Sequence, residues 1–103
     1  MSEIEDKTAA LLAALWVKNR PLIVERLAAL DAAAATDGAL GEDVRQQAHS
    51  AAHKLAGSLG MYGYDDGTRI ARLLEQLLES STPEPGRLRE LTAELRAAIF
   101  PNG

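Results

Sequence analysis

The stretch AHKLAGSLGMYG, residues 52–63, combines one histidine with three closely spaced glycines. Gly57, Gly60 and Gly63 follow His53 by four, seven and ten residues. Each glycine costs about 1 kcal/mol relative to alanine inside a helix, so three of them beside one histidine need a reason. We interpret the reason as steric, because small residues clear the space around His53 for a bulky partner.

Helical periodicity places His53 on the outer side of its helix. At about 100° per residue, Gly57 and Gly60 lie within roughly 40° of His53 on one stripe. The opposite face is apolar and consists of Val44, Ala48, Ala51, Leu55, Leu59 and Tyr62. We expect the core to cover that face and to leave the imidazole in solvent.

Composition favours a small all-α protein and argues against nucleic acid as its main partner. The 103 residues carry a net charge of −4 and no cysteine, and we expect residues 1–103 to form one domain. The lack of cysteine excludes a disulfide framework and fits a reducing compartment. No basic stretch suits nucleic acid, and no apolar run reaches the roughly 20 residues of a membrane span. We therefore expect a cytoplasmic protein that binds neither nucleic acid nor membrane.

Apolar periodicity and turn residues predict an antiparallel up-down four-helix bundle with an additional N-terminal helix. The N-terminal helix is predicted over residues 3–18. Pro21 then starts a second helix, or a kinked continuation, that reaches residue 34. The remaining helices are predicted over residues 42–62, 68–80 and about 83–100.

Local signals refine these helices. Ser2 and Glu5 can form a capping box at the N-terminus. Asp65 or Asp66 is expected to cap the helix over residues 68–80, and Thr82 the last helix. The predicted core positions of the two N-terminal segments are Ile4, Leu11, Leu12, Leu15, Trp16, Leu22, Ile23, Leu27 and Leu30.

The His53 region resembles the histidine-containing phosphotransfer (HPt) domain family. That family has a motif similar to His-x-Leu-Lys-Gly-Ser with further glycines downstream. The matching residues are His53, Leu55, Gly57, Ser58, Gly60 and Gly63, and Leu74-Glu75 matches a second block on the next helix. The resemblance covers residues 48–79, and the helical layout extends it to nearly the whole chain.

The resemblance implies that His53 accepts a phosphoryl group from a receiver-domain aspartyl phosphate and passes it to another receiver. The implied partners are receiver domains of hybrid sensor kinases and response regulators. The Mg²⁺ of the reaction would belong to the receiver, so we expect neither a metal nor a cofactor in this chain. No glycine-rich phosphate loop with a following lysine is present, so we expect a phosphoryl carrier rather than an ATP-dependent kinase. We also expect the protein to be a monomer.

Several neighbours of His53 are candidate binding residues. We expect Gly57, Gly60, Lys54 and His49 to lie on the docking surface. Glu75 or Gln76 could hydrogen-bond the second ring nitrogen of His53, and at this stage both stay open. We interpret Ser58 as a packing residue or a helix-to-backbone donor.

The sequence departs from the family motif at two positions. The lysine usual three residues after the histidine is Ala56 here, which leaves Lys54 as the candidate basic group. Gly67 stands where the family commonly has a bulky apolar residue.

Two alternatives from other classes stay open. The first is a non-catalytic helical adaptor that docks a signalling partner through the His53 and Gly57 face. The second is a bundle that binds metal through His49 and His53, which lie one turn apart.

Overall fold

The computed structural model describes residues 3–102, which form four α-helices and one short 3₁₀ helix. The α-helices are α1 (Glu3–Ala34), α2 (Glu42–Ser58), α3 (Asp65–Leu78) and α4 (Pro85–Ile99). The 3₁₀ helix, Leu59–Tyr62, directly continues α2. Each helix packs against the next, and α4 closes the ring against α1. The predicted all-α up-down bundle is therefore confirmed, and residues 3–102 contain no strand.

The core lies between the four helices and is built almost entirely from aliphatic side chains. Because α2 contributes three alanines and a leucine, the neighbouring helices can approach it closely. The buried apolar residues are Ile23, Leu27, Leu30, Ala33, Ala48, Ala51, Ala52, Leu55, Leu59, Ile70, Ala71, Leu74, Leu78, Leu88, Leu91, Leu95 and Ile99.

The N-terminal segment is the first part of α1 and not a separate helix. Pro21 lies inside α1, which continues through it for 32 residues in all. An interior proline costs about 3 kcal/mol. Here the buried side chains that follow it, Ile23 and Leu27, hold the second half of α1 against the bundle.

The prediction that Ile4, Leu11 and Leu22 lie in the core is wrong. Their exposed fractions are 77%, 61% and 42%. Helix α1 is almost twice as long as α2, so Ile4 and Leu11 lie on first turns that extend beyond the ends of the other helices. Leu22 lies beside the bundle but points about 100° away from the buried Ile23. Residues Leu12, Leu15 and Trp16 are half-buried where the bundle begins.

An aromatic cluster closes this end of the bundle. The ring of Trp16 lies 5.1 Å from that of Tyr62, 5.0 Å from Tyr64 and 6.0 Å from Phe100. The amide of Asn19 donates to the Tyr62 hydroxyl at 2.9 Å. These contacts join α1 to the 3₁₀ helix that follows α2, and so hold the end of α2 in place.

The helix ends differ in detail from the sequence-based expectations. Helix α3 begins at Asp65, so both aspartates lie in its first turn and neither is its cap. Glu84, rather than Thr82, caps α4, because its carboxylate accepts from the backbone N–H groups of Gly86 and Arg87. Ser2 lies outside the described residues, so the expected capping box stays a prediction.

Gly67 is buried where α3 crosses the 3₁₀ helix. A Cβ at this position would stand 3.1 Å from Cδ1 of Leu59 and 3.5 Å from Cβ of Tyr64. A larger residue at this position would therefore press on the Leu59 side chain, which would have to shift to make room. Among residues 3–102, none of the helices combines the length and apolar character that a membrane span requires.

Candidate functional site

His53 lies on the outer face of α2, between the buried residues Ala52 and Leu55 in sequence. Its side chain is 72% exposed. The alanine-rich opposite face of α2 packs into the bundle, so the His53 side chain points into solvent. The expectation that the core leaves this imidazole in solvent agrees with the structure.

Glu75 on α3 holds one nitrogen of the His53 ring. Nδ1 of His53 lies 2.5 Å from Oε2 of Glu75, whose side chain is only 21% exposed. An ionised carboxylate can only accept, so Nδ1 carries the hydrogen of this bond. The neutral ring then has its lone pair on Nε2, in a side chain that solvent and a partner can reach.

The sequence left Glu75 and Gln76 open as hydrogen-bond partners of His53, and the structure shows that Glu75 is the partner. Gln76 is exposed, and within residues 3–102 it has no hydrogen bond to His53. The two residues are about 100° apart on α3, so only one of them can face α2.

His49 lies one turn before His53 and faces a second glutamate, Glu79, which caps the C-terminal end of α3. Its Nε2 is 3.9 Å from Oε1 of Glu79, too far for a hydrogen bond. That nitrogen is buried and has no hydrogen-bond partner among the described residues. Sequence reasoning missed Glu79, although its position one helical turn after Glu75 was a usable signal.

Arg45 joins the start of α2 to the end of α3, one turn before His49. Its guanidinium donates to the backbone carbonyl of Leu78 at 2.6 Å and also pairs with Glu42. The hydrogen bond from Arg45, followed by one from Gln46, lowers the pKa of the Glu42 carboxyl. The same contact with Glu42 raises the pKa of Arg45.

The surroundings of Gly57, Gly60 and Gly63 differ, and so does the structural need for glycine at each position. A Cβ added at Gly57 would meet nothing within 4 Å, so packing inside the protein does not require glycine there. At Gly60 the nearest atom would be the Thr68 hydroxyl oxygen at 3.6 Å, an ordinary contact. Gly63 has φ 82°, a left-handed conformation that ends the 3₁₀ helix and favours glycine. Packing among the described residues therefore gives no reason for Gly57, whereas a backbone requirement explains Gly63.

Lys54 and Ser58 lie away from the His53–Glu75 pair. Lys54 lines a groove of about 490 Å³ between α1 and α2, together with Leu22 and Glu25 of α1. Lys54 lies on the side of α2 that faces α1, whereas Glu75 approaches His53 from α3 on the other side. The Ser58 hydroxyl donates to the carbonyl of Lys54 at 2.9 Å, which is the expected helix-to-backbone bond.

The metal-binding alternative requires several ligand side chains close together. Within residues 3–102 no group of three or more His, Cys, Asp or Glu side chains could hold a metal ion. His49 and His53 each face a glutamate, and the two pairs are separate.

A family model described as the Hpt domain matches residues 21–99. The chain therefore belongs to the Hpt domain family. Neither the curated proteins nor the solved structures gave a significant match. Family membership gives the chain a phosphotransfer role in two-component signalling, as a phosphocarrier rather than a kinase, with receiver domains as its partners.

Proposed function

We propose that His53 is the residue that carries the phosphoryl group, in a cytoplasmic relay between two receiver domains. The observation that supports this most is the combination at one residue of a 72% exposed imidazole and a carboxylate 2.5 Å from its Nδ1. Exposure makes the ring reachable by another protein, and the hydrogen bond selects the nitrogen that reacts.

In the proposed transfer, Nε2 of His53 attacks the phosphorus of an aspartyl phosphate on the donor receiver. The N–P bond forms as the bond between phosphorus and the aspartyl oxygen breaks, and the electron pair leaves with the carboxylate. The ring becomes cationic, and its Nδ1–H stays bonded to Glu75, whose negative charge stabilises that cation. In the second transfer a carboxylate of the acceptor receiver attacks phosphorus, and the electron pair of the N–P bond returns to Nε2.

Gly57 and Gly60 are proposed to let the receiver close over His53. Gly57 is one turn further along the exposed side of α2 and has open space where a side chain would be. We propose His49, Lys54 and Gln76 as parts of the surrounding docking surface. Lys54 and Gln76 are exposed and directly follow His53 and Glu75 in sequence, and His49 lies one turn before His53. Glu75 acts as a positioning residue, since it reaches the reacting nitrogen only through the ring.

Transfer from radiolabelled receivers tests the proposal. A panel of purified receiver domains would be phosphorylated with labelled acetyl phosphate and incubated with the protein. We expect acid-labile label on the parent chain and on His49→Gln, and none on His53→Gln. Label on His53→Gln at the level of the parent would contradict the proposal.

The adaptor alternative predicts a different result in the same experiment. If the His53 face only docks a partner, the parent takes no label from any receiver that it binds. His53→Gln would then bind that receiver as tightly as the parent does. Binding measured beside labelling therefore separates a carrier from an adaptor.

A further inference from the structure

Arg72 is an exposed arginine of α3 whose charge has no partner within residues 3–102. Its guanidinium makes no ion pair and no hydrogen bond there. The acid one turn after it, Glu75, is bonded to His53 instead. The second arginine of α3, Arg69, pairs with Asp66. Arg72 is therefore the arginine of α3 that is free to bind a group arriving from outside.

Arg72 lies on the side of α3 that borders α2. At about 100° per residue, Thr68, Arg72 and Glu75 lie within roughly 60° of one another. Glu75 contacts His53 at 2.5 Å. One end of α3 nearer its start, a Cβ at Gly60 would stand 3.6 Å from the Thr68 hydroxyl oxygen. These two approaches fix the antiparallel register of the helices, and Arg72, which lies between them, is level with residues 54–59.

The residue of α2 that lies across from Arg72 is small. Ala56 and Arg72 each lie three residues along their helix from the His53–Glu75 pair. Ala56 is about 40° from Gly60 around the helix, so it faces α3 as well. It is half-buried and ends in a methyl group, so it leaves the path from Arg72 to His53 clear. Three residues of helix span about 4.5 Å, which is less than the length of an arginine side chain.

A phosphoryl group on His53 requires a cation nearby. It carries roughly −1.5 to −2 charge near neutral pH, and Glu75 adds a negative charge beside the same ring. A guanidinium suits this task because it donates two parallel hydrogen bonds to phosphoryl oxygens. We propose that Arg72 binds the phosphoryl group on Nε2 of His53. This inference rests on the proposed function of His53 and adds a phosphoryl-binding residue to it.

Lys54 is the second cation near His53, and it lies on the opposite side of α2. It lines the groove toward α1, where Glu25 and Asp43 also lie. These two acids compete with a phosphoryl group for the ammonium charge. The Arg72 charge has no such competitor, because the neighbouring carboxylate of α3 is bonded to the imidazole. Arg72 therefore takes the place of Lys54 as the basic group that the sequence left to be found.

Labelling with phosphoramidate tests Arg72, because this small donor reacts with His53 without a docked receiver. We expect Arg72→Gln to slow labelling about threefold to fivefold and Arg72→Lys to recover most of the rate. Arg89→Gln is the matched control, since it removes an exposed arginine of α4 that has no partner among the described residues. It should be labelled at the parent rate. Slower labelling of Lys54→Gln but not of Arg72→Gln assigns the cation to Lys54 and overturns the proposal.

Phosphorus NMR of the labelled proteins gives a readout that a merely structural role of Arg72 would not move. A guanidinium beside the phosphoryl group favours its more charged form and lowers its pKa. Arg72→Gln should therefore raise the pKa of the phosphoryl group by about 0.5, whereas Arg89→Gln should leave it unchanged. A labelling rate or a phosphoryl pKa that Arg72→Gln does not alter overturns the proposal. A parent chain that takes no label on His53 instead contradicts the proposed function, and the role of Arg72 falls with it.

Discussion

His53 and His49 are one turn apart on α2, and each faces a glutamate. Glu75 lies on α3, and Glu79 is the residue that directly follows α3. The sequence thus repeats the same residue pair, but the structure makes two different sites. At His53 the ring is 72% exposed and its Nδ1 lies 2.5 Å from Glu75. At His49 the ring is 34% exposed, its Nε2 is buried, and Glu79 lies 3.9 Å away.

The difference teaches that exposure and one hydrogen-bond length distinguish the histidine for which we propose phosphotransfer from its neighbour one turn away. A reactive imidazole needs a hydrogen bond that fixes one ring nitrogen, and an accessible lone pair on the other nitrogen. The Glu75 bond holds Nδ1 of His53 and leaves Nε2 open, whereas the buried Nε2 of His49 is neither bonded nor accessible. The arrangement around His53 therefore suits group transfer, and the arrangement around His49 suits packing.

Filling Gly57 should have the largest effect on the His53 side of this comparison. Gly57→Leu is expected to slow transfer from a phosphorylated receiver by up to about a hundredfold, because the new side chain enters the space that the receiver must occupy. The same change should stabilise the protein by up to about 1 kcal/mol, since leucine favours a helix more than glycine does. Stopped-flow or quench-flow labelling and thermal unfolding measure the two effects.

A small phosphodonor is the control for Gly57→Leu. Phosphoramidate needs no protein docking, so it should label the variant and the parent at similar rates. Equal transfer from receivers to both proteins would show that Gly57 does not provide clearance.

Removing the Glu75 carboxylate should have the next largest effect. Glu75→Ala is expected to slow labelling of His53 about tenfold, because a charge-assisted hydrogen bond of about 1.5 kcal/mol is lost. Glu75→Gln should recover part of the rate, since its amide oxygen can still accept from Nδ1. Phosphoramidate should reveal the same order, because the effect lies in the ring and not in docking.

Glu79→Gln and Glu79→Ala are the matched controls for the Glu75 variants. Neither should change the labelling rate by more than about twofold, since Glu79 makes no hydrogen bond to His49. An effect of Glu79→Ala as large as that of Glu75→Ala would mean that the two pairs act together.

Replacing His49 by leucine should have the smallest effect on transfer and a favourable effect on folding. The change removes a buried nitrogen that has no hydrogen-bond partner among the described residues. We expect His49→Leu to raise the free energy of unfolding by up to about 1 kcal/mol. Urea unfolding measures it, and a loss of stability would indicate that His49 forms a bond through water.

Much of the fold and the position of His53 could be predicted from periodicity. The apolar face of α2 was enough to place His53 outside the core, because α2 has only one apolar face and His53 lies opposite it. The choice between Glu75 and Gln76 could not be made, since it depends on how far α3 is rotated about its axis relative to α2. The same holds for Glu79, whose distance from His49 is a property of two packed helices.

The continuous α1 shows why local signals are not sufficient. Pro21 marks a helix start by its own chemistry, but Ile23 and Leu27 bury enough surface to keep α1 in one piece. Ile4 and Leu11 have the spacing of a core stripe, and the bundle ends before it reaches them. An amphipathic pattern predicts that a helix has an apolar face, whereas only the lengths of the neighbouring helices decide whether that face is covered.

The sequence by itself determined the helical class, the exposed histidine and the glycines around it, because each follows from residue type and spacing along one helix. The tertiary structure alone decided which glutamate holds the ring, which histidine keeps an open nitrogen and which part of α1 meets solvent. Those features depend on distances between residues of different helices, and such distances exist only after the helices have packed.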